Sequence, residues 1–134
     1  MFLGIVGAHG AICIADALKI NISLTCLDVS DNFFADDSVI GGGEAVQKLA
    51  EAIRDNTALT TLDLAFVQCS ARGYRVLAEA FKVNRTLTSV DLSGNNMDFA
   101  AAEMFAAVLE ANNALQSLSF AHSFYSDPRH SLFG

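Results

Sequence analysis

Apolar positions along the chain follow two alternating rhythms. Four short blocks, LTCLDVSDN (24–32), LTTLDLAFV (59–67), LTSVDLSGN (87–95) and LQSLSFAHS (115–123), place apolar residues three and then two apart. The closing spacing of two is that of a strand with its leucines turned inward. The first leucines, Leu24, Leu59, Leu87 and Leu115, are 35, 28 and 28 residues apart, so the unit is 28 residues and the first interval holds seven more. The fourteen residues before each block also repeat, as GAICIADALKINIS, AVQKLAEAIRDNTA, GYRVLAEAFKVNRT and AAEMFAAVLEANNA. Aligned, they give apolar columns Ile14, Leu49, Leu77, Phe105 and Leu18, Ile53, Phe81, Leu109, and a small-residue column Ala15, Ala50, Ala78, Ala106. Spacings of one and four gather these on one helical face. The pattern predicts strands near 24–29, 59–64, 87–92 and 115–120, and helices near 10–20, 43–55, 72–83 and 100–111.

A fourth column never varies: Asn21, Asn56, Asn84 and Asn112 each stand three residues before the strand leucine. Asparagine tolerates a left-handed backbone, ends helices and bonds turn amides, so the column reads as structural.

Four copies in register resemble leucine-rich repeats of the ribonuclease-inhibitor-like class. The likeness spans residues 4–123 and rests on LxxLxLxxN, GAxxxAxAL (Gly10 to Leu18) and NxxL. It departs where Val67 and Ser123 stand at the position of Asn32 and Asn95, which predicts an incomplete asparagine ladder and softer loops in repeats two and four. The resemblance implies a right-handed α/β solenoid, a horseshoe arc with parallel strands concave and helices convex. Residues 1–122 would form about four units, the first incomplete, and 123–134 an irregular tail. It also implies action by protein–protein binding on the concave face or loop rim, within a larger protein. Two alternatives within the family are a GTPase-activating module of the Ran GTPase-activating type and a structural segment of a NOD-like receptor.

Composition narrows the partner. Eight Lys plus Arg against fifteen Asp plus Glu give a net charge of −7, which disfavours nucleic acid and anionic membrane surfaces. The three cysteines, Cys13, Cys26 and Cys69, never stand in CxxC spacing, which fits a reducing compartment; the expectation is cytoplasmic, with the nucleus left open. The uncharged opening MFLGIVGAHGAICIA lacks the basic start of a secretory signal, and residues 10–21 are needed by the first repeat.

The concave face takes the residues between the strand leucines. Asp28, Asp63 and Asp91 share a column about 5 Å apart from strand to strand, with no Lys or Arg on that face. A basic protein partner would relieve their repulsion; the plainer reading has them solvated or bonded to nearby hydroxyls. Cys26, Thr61 and Phe66 join them as candidate contacts, and Phe33, Asp36 and Asp37 of the lengthened loop FFADDSVIGGG are rim candidates. Cys69 aligns with Phe34 and Met97 as a packing residue. No catalytic, cofactor or metal residue is expected: the histidines His9, His122 and His130 show no ligand spacing, and GGGEAVQK (41–48) lacks the ending of a phosphate loop.

At the first helix, a column reading Ile12, Gln47, Arg75, Glu103 should face solvent, and the next reads Cys13, Lys48, Val76, Met104. Capping repeats carry a polar outer face, yet Ile12, Ile20 and the residues Met1, Phe2, Leu3, Ile5 and Val6 are apolar. This end is therefore expected to pack on an upstream repeat, a partner or a second copy through Ile12 and the N-terminal residues.

Overall fold

The computed structural model describes residues 7–32 and 43–123. Helix and strand alternate as α1 (Gly7–Leu18), β1 (Cys26–Asp28), α2 (Glu44–Asp55), β2 (Thr61–Asp63), α3 (Ala71–Val83), β3 (Ser89–Asp91), α4 (Phe99–Ala111) and β4 (Ser117–Ser119). The strands form one parallel sheet in the order β1-β2-β3-β4, and each helix packs on the next. Register follows the sequence repeat: Leu27, Leu62, Val90 and Leu118 are partners in turn. Chirality of such crossovers makes the coil right-handed. The expected elements are all present. The strands are three residues long, shorter than the apolar blocks, and α1 starts three residues earlier than expected.

Two apolar rows on each helix build the core. One row faces the preceding repeat and the strands: Ala45, Leu49 and Ala52 on α2; Gly73, Leu77 and Ala80 on α3; Ala101, Phe105 and Val108 on α4. The other faces the following repeat: Ala11, Ala15 and Leu18 on α1; Val46, Ala50 and Ile53 on α2; Tyr74, Ala78 and Phe81 on α3. All of these are buried. Small residues at every turn let the helices approach closely. Tyr74 crosses to the sheet, donating its hydroxyl to the Leu92 carbonyl at 3.0 Å, while its ring meets Phe105 edge-on at 5.9 Å.

The same columns diverge at the ends. Ala106 and Leu109 belong to the forward row by alignment and are exposed, because no described repeat follows them. Ile14, in the backward row of α1, is only half-buried for the mirror reason. Ile12 corrects the expected solvent column: Gln47, Arg75 and Glu103 are exposed as foreseen, whereas Ile12 is half-buried against the core. Ile20 is 83% exposed. Residues 1–6, to which the same expectation appealed, lie outside the described residues, as do Phe34 and the tail beyond Ser123.

The asparagine column is structural, as expected, and its asparagines end helices without using their tolerance of a left-handed backbone. Asn56, Asn84 and Asn112 cap α2, α3 and α4 with extended dihedrals (φ −71°, −63° and −104°), not left-handed ones. Their amides explain the column. Asn84 Oδ1 accepts from the N–H groups of Thr86 and Leu87 at 2.9 and 2.8 Å, while Nδ2 donates to the carbonyls of Ile53 and Asn56 at 2.7 and 3.1 Å. Asn56 does the same toward Leu18 and Asn21, and Asn112 toward Phe81 and Asn84. Each side chain satisfies its own turn and the orphan carbonyls ending the helix before it. Only an amide has both an acceptor and a two-proton donor at that reach.

A second amide braces the opposite end of the strands. Asn95 is buried; Oδ1 accepts from Val67 and Cys69 N–H, and Nδ2 donates to the Leu64 carbonyl at 2.8 Å. The loop of repeat two, which lacks its own asparagine, is thus held by the asparagine of repeat three. Val67 itself is buried in the core.

Candidate functional site

The sheet's open face carries the candidate contacts. Hydrogen-bond register puts Asp28 beside Asp63 and Asp63 beside Asp91, with Ser119 completing the row. Cys26, Thr61, Ser89 and Ser117 form the parallel row two residues earlier. Cys26 is exposed and Thr61 half-buried.

One oxygen of each aspartate has a local task. Asp28 Oδ1 accepts from the Ser30 N–H at 2.9 Å and its hydroxyl at 2.6 Å. Asp63 and Asp91 accept from the N–H groups of Ala65 and Ser93 at 2.9 and 2.8 Å. The aspartates therefore terminate their strands, as short polar side chains do at turns. Among the described residues, no cation pairs with their charge. The five ion pairs among the described residues lie elsewhere: Asp16–Lys19, Lys19–Glu51, Arg54–Asp55, Arg75–Asp98 and Glu79–Lys82.

Environment separates two members of the column. The Ser30 hydroxyl and N–H pull the Asp28 carboxyl below its ordinary value, against mild desolvation. Asp63 is pushed up, first by desolvation and then by the charges of Asp28, Asp91 and Asp31, with the Ala65 N–H opposing. The central carboxylate is thus the one for which a nearby positive charge would change most. Asp31 was not among the sequence candidates; its place beside Phe66 in the aligned blocks was the available signal.

Beyond the strands, a row of residues adopts the left-handed conformation: Asp31, Phe66, Gly94 and His122, with φ of 57°, 54°, 70° and 56°. The sheet bonds run on through it, Asp31 N–H to Ala65, Phe66 N–H to Ser93 and Gly94 N–H to Ala121. A phenylalanine seldom takes this conformation. Its ring lies over Gly94, where an added Cβ would overlap it, and the side chain is still 46% exposed. The face therefore offers an acidic row with one held aromatic beside it.

Among the other sequence candidates, Phe33, Asp36 and Asp37 lie outside the described residues. Cys69 is buried, and burial pushes its thiol up to about 12, so it is a packing group. Met97 packs half-buried against the core. Among the described residues, no group of His, Cys, Asp and Glu has a metal-binding arrangement, and no helix is long and apolar enough to cross a membrane.

Comparison with known proteins agrees with this architecture. A leucine-rich-repeat sequence model matches residues 21–41 and 83–106. No curated protein matches the chain. Among solved structures, the leiomodin-1 actin-binding site 2 superposes with a TM-score of 0.67 at 21% identity, over 84% of this chain and 61% of that one. The tropomodulin C-terminal domain from Caenorhabditis elegans superposes at 0.72 and 14% identity, over 92% of this chain and 68% of that one. The chain thus spans about three fifths of the leiomodin-1 structure's length. Matched segments, repeat register and superposition converge: the chain is an α/β leucine-rich-repeat solenoid.

Proposed function

We propose that this solenoid is a non-enzymatic protein-binding module, of the ribonuclease-inhibitor-like class by its 28-residue unit. Its concave face takes a basic segment of a protein partner. The observation that carries the reading is the row Asp28, Asp63 and Asp91, with Asp31 adjacent, none paired with a cation among the described residues. Clustered carboxylates steer and select basic partners. Phe66 supplies an exposed aromatic face to which an arginine or lysine can bind. Cys26 and Thr61 line the same face, and Phe33, Asp36 and Asp37 extend the proposed contact along the rim. Neither the GTPase-activating nor the NOD-like-receptor alternative draws support from the matched sequence model or the solved neighbours.

The leiomodin-1 neighbour is an actin-binding site. At 21% identity that likeness assigns no residue here, but it makes actin the first protein to test. Binding is measured against actin and against an arginine-rich peptide. Lysine at Asp28, Asp63 and Asp91 together should weaken capture at least about tenfold, equivalent to roughly 1.4 kcal/mol. Lysine at Glu51 and Glu79, which lie on α2 and α3, should not. Equal losses from both sets would remove the concave face from the reading.

A further inference from the structure

We infer that copies of this chain stack head to tail, α1 of one copy seated on α4 of another, so that the solenoid continues across the junction. The two ends are complementary halves of the interface that holds the molecule together inside. At the α4 end the forward row is exposed, with Ala102 and Ala106 beside Leu109 at 55% and Phe99 at 66%. At the α1 end the backward row is open, with Ala17 exposed, Gly10 and Ile14 half-buried, and Cys13 exposed beside them. Within the chain, the equivalent rows bury each other at every helix junction.

Polar groups match as well as apolar ones. Asn21 Oδ1 holds the Ser23 and Leu24 N–H groups, as its counterparts do, but its Nδ2 makes no hydrogen bond among the described residues. In the inner repeats that amide donates to two carbonyls at the end of the preceding helix, such as those of Ile53 and Asn56 for Asn84. The corresponding carbonyls after α4 are those of Leu109 and Asn112, and no described asparagine follows to reach them. The sheet edges repeat the relation. Val29, Leu64 and Leu92 donate their N–H to the carbonyl at the end of the next strand, at Asp63, Asp91 and Ser119. On the outer side of β4 the Phe120 N–H continues that donor series, and no described strand follows it. The first acceptor of the series, the Asp28 carbonyl, has no described strand before it. Parallel strands accept such an addition without a change of register. Joining unlike faces leaves each pair with two free ends, so the association is open-ended.

A charge of −7 per chain opposes stacking, so salt should favour it. The test is sedimentation velocity of the full chain across a concentration series, at about 0.05 and about 0.5 M salt. The wild-type chain should give species larger than one chain that grow with concentration and with salt. Leu109→Asp closes the α4 end and Ala17→Glu the α1 end; both positions are exposed, and circular dichroism checks that each variant is folded. Each variant alone should stay at the mass of one chain. Mixed in equal amounts, they should form a species of two chains and nothing larger, since only one open end of each remains. A wild-type chain of single-chain mass under every condition overturns the inference, including by residues 124–134 occupying the α4 face. So does a mixture of the two variants that stays at single-chain mass.

Discussion

Helices α3 and α4 have the same length and come from the same columns of the sequence, yet they meet the solvent differently. Both bury the row that faces back along the solenoid. The forward row of α3 (Tyr74, Ala78, Phe81) is enclosed by α4, whereas that of α4 (Ala102, Ala106, Leu109) is open. Phe81 is 1% exposed and the aligned Leu109 is 55% exposed. A repeat does not bury its own hydrophobic residues; its neighbour does. Burial in a stacked array is a property of the junction, as a nearest-neighbour description of such proteins requires.

The comparison is broken most directly at its matched pair. Phe81→Ala removes an aromatic from a filled junction and should cost about 3–5 kcal/mol by chemical denaturation. In dilute protein at low salt, where the chains are expected to be separate, Leu109→Ala should change stability by only about 0.5 kcal/mol, since the side chain is half in water already. Comparable losses at the two positions would mean that the α4 face is covered in solution.

The asparagine column makes the same contrast with polar groups. Asn84→Ala would strand the buried Leu87 N–H, the half-buried Thr86 N–H and the Ile53 carbonyl, and leave the Asn56 carbonyl only the Thr86 hydroxyl. The expected cost is about 2–3 kcal/mol, from the desolvation of groups left without partners. Asn21→Ala removes only the turn bonds of an exposed residue and should cost about 1 kcal/mol or less. Denaturant midpoints of the two variants, taken against the wild type, provide the check.

Much of this was legible in the sequence because the repeat is itself a physical signal. Strand order, register and alternation followed from the spacing of Leu24, Leu59, Leu87 and Leu115. The invariance of Asn21, Asn56, Asn84 and Asn112 showed a structural role, and helix ending and turn bonding were both readable from the residue type. The sequence pattern does not show that the amide spans two repeats, because its receiving carbonyls lie about 28 residues away and belong to every residue type. Val67 suggested a gap in the second ladder for a similar reason; the brace comes from Asn95, one repeat later. Leu109 and Ala106 matched buried columns and are exposed, since periodicity reports a face and not whether anything covers it. At the candidate site, the Asp28–Asp63–Asp91 row was readable from alignment. The left-handed Phe66 over Gly94 was not, because phenylalanine itself gives no sign of that conformation, although Asp31, Gly94 and His122 in its column are residue types that favour it.

A smaller effect separates two glycines with positive φ. Gly94 (φ +70°) lies beneath the Phe66 ring, whereas Gly43 (φ +113°) has nothing within 4 Å of where a Cβ would stand. Alanine at either position meets backbone strain of about 1 kcal/mol. At Gly94 it must also displace the ring, so Gly94→Ala should be the more destabilising of the two and should weaken partner capture in parallel. Thermal melts rank the pair, and unchanged capture by Gly94→Ala would separate the Phe66 pose from binding.

The finest contrast lies within the acidic row, between two carboxylates one strand apart. Asp28 is held below its ordinary value by the Ser30 hydroxyl and N–H, so its ionised form favours the folded chain. That contribution is present above the unfolded value and is lost as pH falls through the lower folded one. Asp63 is shifted the other way by desolvation and by Asp28, Asp91 and Asp31. Its ionisation therefore opposes folding: the penalty is absent below the unfolded value and fully present above the raised folded one. Asparagine keeps an acceptor for the Ala65 N–H while removing the charge. Asp63→Asn should raise the melting temperature slightly at pH 7, and the gain should shrink toward zero near pH 3, about where the unfolded carboxyl protonates. Asp28→Asn should lower it at pH 7 and converge on the wild type at still lower pH. Melts across that range decide the sign. A destabilised Asp63→Asn at neutral pH would show the central aspartate to be held mainly by its turn and not strained by its neighbours, leaving a basic partner less to relieve.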